Sequence, residues 1–138
     1  MFSEQHAFPG RFEQIEAICD LVDRAAQMAG FDDSTNYACQ LAVGEACENI
    51  ICHGYKDEEH GEIEITVHAE PGELTIELQD SAPSFDPTSM STPEPEGGIE
   101  DKVGGLGLPI IHRVMDEIEY SYRGNRNRLI LRKRWTSD

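Results

Sequence analysis

Positive charge is scarce in this chain. Eleven Lys and Arg stand against twenty-seven Asp and Glu, a formal net charge of −16 over 138 residues. That balance argues against nucleic acid or an anionic membrane as a partner, because both are held through phosphates by clustered cations. Long apolar runs are missing too. Nothing approaches the roughly 18 residues of a membrane-spanning helix, and the N-terminal MFSEQHAFPGRFEQ lacks the basic-then-apolar order of a secretory signal. The chain therefore reads as cytoplasmic. Cysteine is confined to Cys19, Cys39, Cys47 and Cys52, with no C-x-x-C pair. Zinc spacing is thus absent, and the four read as reduced, buried thiols acting as small hydrophobes.

What is present fits one ordinary globular domain over residues 1–138. With 38% hydrophobic and 28% charged residues, the chain is long enough for its own core. The few cations are unevenly placed. Six of the eleven lie in the last sixteen residues, at Arg123, Arg126, Arg128, Arg132, Lys133 and Arg134. An exposed strand face that balances an acidic surface accounts for them; docking of an acidic protein partner is the alternative.

Periodicity divides the chain. Ile15, Ile18, Val22, Ala25 and Ala29 recur at helical spacing over 12–29, and Gly30 is a natural stop. Asp32, Asp33 or Ser34 can cap a second helix running to about His53, with Gly54 ending it. The period then changes to two. Ile63, Ile65, Val67 and Ala69 alternate with polar residues, Pro71-Gly72 turns the chain, and Leu74, Ile76 and Leu78 return antiparallel. Residues 81–103 hold four of the seven prolines and no periodicity, a length uncommon inside a compact domain unless it is disordered or functional; a lid is one reading and a plain disordered insert the other. Gly104, Gly105 and Gly107 precede a third helix with Leu108, Ile111, Val114 or Met115 and Ile118 on its apolar face, and Pro109 suits an early helical position. Alternating segments near 118–123 and 128–134 close the chain, and a strand over 1–8 is weakly signalled. This order predicts an α/β (α+β) two-layer sandwich: a mostly antiparallel mixed sheet with helices on one face.

Three places put polar groups where apolar ones belong. In GEACENIICHGY, residues 44–55, Glu45 and Asn49 share a helix face with Leu41 and Tyr37, which read as core. Strand parity carried past Leu78 makes Asp80 the next inward position, and an inward carboxylate must find donors. It can accept from an exocyclic amino group such as adenine's. The glycine turn at 104–107 exposes N–H groups at a helix start, which suits phosphate. It is neither a Walker loop nor the G-x-G-x-x-G fingerprint. An Asn oxygen can be the single protein ligand that Mg²⁺ often takes beside waters and phosphate, and Glu45, one turn away, can orient or deprotonate a hydroxyl. A solvated helix face is the plainer reading of that pair.

Together these segments resemble the GHKL ATPase superfamily with its Bergerat-type nucleotide site, and within it the anti-sigma-factor serine/threonine kinases. EACENIICHGY at 45–55 is similar to that family's N box, QDSAPSFDP at 79–87 to its G1 box, and GGLGLPIIHRVMDE at 104–117 to its G2 box. The ending RGNRNRLILRKR resembles its closing strands, so the likeness spans nearly the whole chain in order. The resemblance implies Glu45 as general base and Asn49 as Mg²⁺ ligand. It implies nucleotide binding by Asn49, Asp80, Ala82, Gly104, Gly105, Leu106, Gly107 and Leu108, with an ATP lid at about 83–103. It further implies ATP and Mg²⁺ as cofactors, a sigma factor and a small anti-sigma-factor antagonist as protein partners, and a homodimer. The function implied is serine/threonine phosphorylation of the antagonist in a partner-switching system. The alternative is an ATP-binding module that sequesters a partner without phosphorylating it. His53 is assigned to packing at the helix end. Two positions depart from the pattern: Ala82 stands where glycine is common, and Asn127 where many members carry a threonine that reaches adenine indirectly.

Overall fold

The computed structural model describes residues 1–55, 61–83 and 107–136. Five strands form one sheet in the order β1-β2-β3-β5-β4: β1 (Phe2–Pro9), β2 (Glu62–Glu70), β3 (Glu73–Asp80), β4 (Glu117–Arg123) and β5 (Arg126–Arg134). All four pairings are antiparallel, so the parallel pairing that a mixed sheet would contain is not found among the described residues. Helices α1 (Ile15–Ala29), α2 (Asp33–Asn49) and α3 (Gly107–Val114) complete the two-layer fold. No helix among the described residues is long and apolar enough to cross a membrane.

Local chemistry accounts for the helix ends. A short 3₁₀ turn, Phe12–Gln14, leads into α1, which ends at Gly30 in the left-handed conformation (φ 85°). The Asp32 carboxylate accepts from the Thr35 backbone N–H at 2.8 Å and caps α2. Beyond Asn49 the chain widens into a π-helical turn, Ile50–Tyr55. Helix α3 stops at Val114, earlier than the apolar spacing predicts, and Ile118 belongs to β4. The β1 strand is real; its weak sequence signal reflects an edge position where five of eight residues are exposed.

The core lies between sheet and helices. Strand alternation sends Ile63, Ile65 and Val67 of β2 and Leu74, Ile76 and Leu78 of β3 inward against Ile18, Leu21 and Val22 of α1. Each such side chain contributes about 1.5–3 kcal/mol when fully buried. Helix α2 departs from its sequence reading. Tyr37 and Leu41 are 61% and 41% exposed, whereas small residues, Cys39, Ala42, Val43, Ala46 and Cys47, face the core. Small side chains let α2 sit close to its neighbours, which leaves the larger apolar residues on the outside. Cys39 and Cys47 are buried as expected, Cys19 is half-buried, and Cys52 is exposed.

The opposite face of the sheet is charged. Arg126 pairs with Glu64, Arg128 with Glu77, Arg132 with Glu117 and Glu119, and Arg134 with Glu73 and Glu117. Four of the six C-terminal cations are thus neutralised on their own sheet face, in agreement with the balancing role read from the sequence.

Candidate nucleotide site

The pocket begins where strand parity places a carboxylate. Asp80 ends β3 on the inner face, in line with Leu78, and is 4% exposed. Asn127 of β5 lies directly across from it. The Asn127 amide donates to Asp80 Oδ1 at 2.9 Å, and the Ala82 backbone N–H donates to the same oxygen at 2.9 Å. Burial pushes the Asp80 carboxyl above its usual range, opposed by these two hydrogen bonds and by the charge of Arg126.

The end of α2 comes alongside through Tyr55. Its hydroxyl donates to the Glu62 carbonyl at 2.7 Å and accepts from the Ser81 N–H at 3.0 Å, so the π-helical turn is tied to the opening of β2 and the close of β3. Gly10 and Gly61 make room for the ring: a methyl at Gly61 would meet it at 2.3 Å. This clasp brings Asn49 beside Asp80. His53 lies exposed in the same turn.

Asn49, Asp80 and Ala82 line one concavity. Ala46, Ile50, Ile111 and Leu129 supply apolar walls, and Pro83, Tyr120 and Asn127 complete it. Four polar residues are buried in the described structure: Asn36, Asn49, Asp80 and Asn127. Asn36 is bonded to Asp23 and Gln40, and Asn127 to Asp80, Ala82, Pro83 and Tyr120. The Asn49 amide and Asp80 Oδ2 have no hydrogen-bond partner among the described residues. Since no fully enclosed side-chain N or O atom there is left unpaired, both border open space. An apolar slot with two such groups is fitted to a flat, partly polar ligand.

Glu45 is not one of the lining residues. It sits one turn before Asn49 on α2, half-buried. Partial burial, and then the carboxylate of Glu48, push its carboxyl above the usual range. Gly104, Gly105 and Leu106, and all of the supposed lid after Pro83, lie outside the described residues. Gly107 and Leu108 open α3, whose Ile111 reaches the pocket. Sequence reasoning missed Ile50, Ile111, Tyr120 and Leu129 as walls. Inward parity of β4 and β5 was the only signal for Tyr120 and Leu129, and apolar helical spacing the only one for Ile111; neither says which inward residues border a cavity.

The model of the histidine kinase-like ATPase domain matches residues 8–133. The chain belongs to this family. Its fold is accordingly the Bergerat fold of GHKL ATPases. Relatives include the serine-protein kinase RsbW of Listeria innocua, 34% identical over 105 residues, covering 70% of this chain and 65% of the relative. RsbW of Listeria monocytogenes is 32% identical over the same length, with the same coverage. RsbW of Bacillus cereus is 32% identical over 116 residues, covering 80% of this chain and 72% of the relative. The chain thus spans 65% of the length of the Listeria relatives.

Proposed function

We propose that this ATPase-family domain is an ATP-dependent serine/threonine protein kinase acting as an anti-sigma factor, with a small antagonist protein as its phosphoryl acceptor. Its kinship with RsbW serine-protein kinases supports the activity class. The observation that carries the nucleotide assignment is the pairing of Asp80 Oδ2 and the Asn49 amide, both unspent, across one apolar-walled pocket. In this reading Asp80 Oδ2 accepts from the 6-amino group of adenine, and Ile50, Ile111 and Leu129 enclose the ring. Asn49 Oδ1 is the one protein ligand of Mg²⁺, which when bound neutralises phosphate charge. Glu45 accepts the proton of the attacking hydroxyl, and its raised proton affinity suits that role. Gly104, Gly105, Leu106, Gly107 and Leu108 are assigned to the phosphates through their backbone. Positioning and charge neutralisation supply most of the catalysis in phosphoryl transfer.

The reading is tested by incubating the protein with γ-labelled ATP and candidate antagonist proteins. Acid-stable label on a serine or threonine of one of them is the expected result. Tight ATP binding without transfer to any of them would leave a sequestering module. Acid-labile label would point to phosphohistidine chemistry.

A further inference from the structure

We propose that Tyr120 is a positioning residue for base recognition: acting through Asn127, it fixes the Asp80 carboxylate so that one oxygen faces the pocket and selects a 6-aminopurine over a 6-oxopurine. This deepens the adenine assignment above and rests on it.

Three strands build the relay. Tyr120 projects inward from β4, Asn127 from β5 and Asp80 from β3, with β5 between the other two. The Tyr120 hydroxyl donates to Asn127 Oδ1. The amide nitrogen of Asn127 faces three oxygens: Asp80 Oδ1 at 2.9 Å, the Ala82 carbonyl at 3.0 Å and the Pro83 carbonyl at 3.2 Å. None of the three is a donor when the carboxylate is ionised, so a flipped amide would set oxygen against three oxygens. The Tyr120 O–H takes up the amide oxygen on the far side and so holds the amide the right way round.

The consequence falls on Asp80. With Asn127 and the Ala82 N–H both on Oδ1, carboxylate rotation would break two hydrogen bonds, and Oδ2 is the acceptor left to the pocket. A fixed acceptor welcomes an exocyclic N–H and repels a carbonyl oxygen placed at the same point. Discrimination of this kind is strong because a mismatched ligand leaves buried polar groups unpaired. Loosened from Tyr120, the amide and the carboxylate can turn together, and the acceptor is no longer held in place.

The test compares ATP with ITP by calorimetry on the full chain, for wild type, Tyr120→Phe, Asn127→Ser and the double variant, each checked for an unchanged melting profile or corrected for fraction folded. Wild type should prefer ATP strongly. Tyr120→Phe should lose about tenfold of that preference, most of it as weaker ATP binding. Asn127→Ser should lose at least as much, and adding Tyr120→Phe to it should cost little further, because both act on one path. An ATP-to-ITP ratio unchanged in Tyr120→Phe overturns the relay and leaves the tyrosine as a wall. A ratio that falls again by the full single-variant factor in the double variant also overturns it. Wild type binding neither nucleotide, or both alike, sinks the adenine assignment itself and the relay with it.

Discussion

Asp80 and Asn127 occupy one register position on neighbouring antiparallel strands, and the amide of one donates to the carboxylate of the other at 2.9 Å. Neither faces water freely: they are 4% and 6% exposed. A buried carboxylate in the inner layer of a sheet costs stability, and its retention there is understandable where it serves a ligand.

Asp80→Asn separates those two effects. Burial raises the Asp80 carboxyl above its ordinary value of 3.8, so the folded chain keeps a proton that the unfolded chain has released. Stability from this group therefore falls as pH rises from 3.8 to the folded value, and the loss persists at neutral pH. An asparagine can still accept from Asn127 and Ala82 through its own oxygen. The variant should melt a few degrees above the nucleotide-free wild type at pH 7, while ATP affinity drops by about tenfold or more. Melting curves at pH 4 and 7, with titration calorimetry, check both halves; equal melting points at pH 7 would contradict the burial cost.

Glu45→Ala should lower phosphoryl transfer by about 10²–10⁴-fold, the usual range for a lost general base. ATP affinity should change little, since Glu45 is outside the pocket lining. Single-turnover transfer and equilibrium binding, measured on one preparation, check this. Full activity in the variant would strip Glu45 of the base assignment.

Asn49→Ala should make nucleotide binding insensitive to Mg²⁺. Binding of ADP with and without the ion is the measurement. Retention of the wild-type Mg²⁺ effect would place the ligand elsewhere.

Gly61→Ala should destabilise the fold by about 2 kcal/mol or more. The added methyl would lie 2.3 Å from Tyr55 ring atoms, and the backbone there holds φ 106°, which L side chains rarely adopt. Urea unfolding gives the value; a midpoint shift near zero would mean the Tyr55 clasp is easily rearranged.

Thiol labelling should follow burial. Cys52 is exposed and should react first, though burial and Glu48 raise its thiol somewhat. Burial pushes Cys39 up to about 12 and Cys47 higher still, so both should label only as the chain unfolds. Mass spectrometry of time points resolves the order.

The fold was largely legible in the sequence because its signals are local. Alternation in β2 and β3, the Pro71-Gly72 turn, Gly30 after α1 and the Asp32 cap each act within a few residues. The same parity pointed Asp80 inward. What escaped depended on partners distant in sequence. Which side of α2 is buried is decided by its neighbours, so Tyr37 and Leu41 read as core although small residues take that place. The widening of the helix after Asn49 accompanies the Tyr55 bonds to Glu62 and Ser81, which no helical period announces. The Tyr120–Asn127–Asp80 relay joins three strands, and only the finished sheet brings them together.

The ladder of ion pairs on the outer sheet face has a kinetic corollary. Arg126, Arg128, Arg132 and Arg134 are all engaged with carboxylates of that face, on the side of the sheet opposite the candidate pocket. The net charge of −16, which already counts them, repels an incoming polyanion at long range. ATP must approach uphill, so the bimolecular rate of capture should climb as added electrolyte screens the field, the reverse of an electrostatically steered encounter.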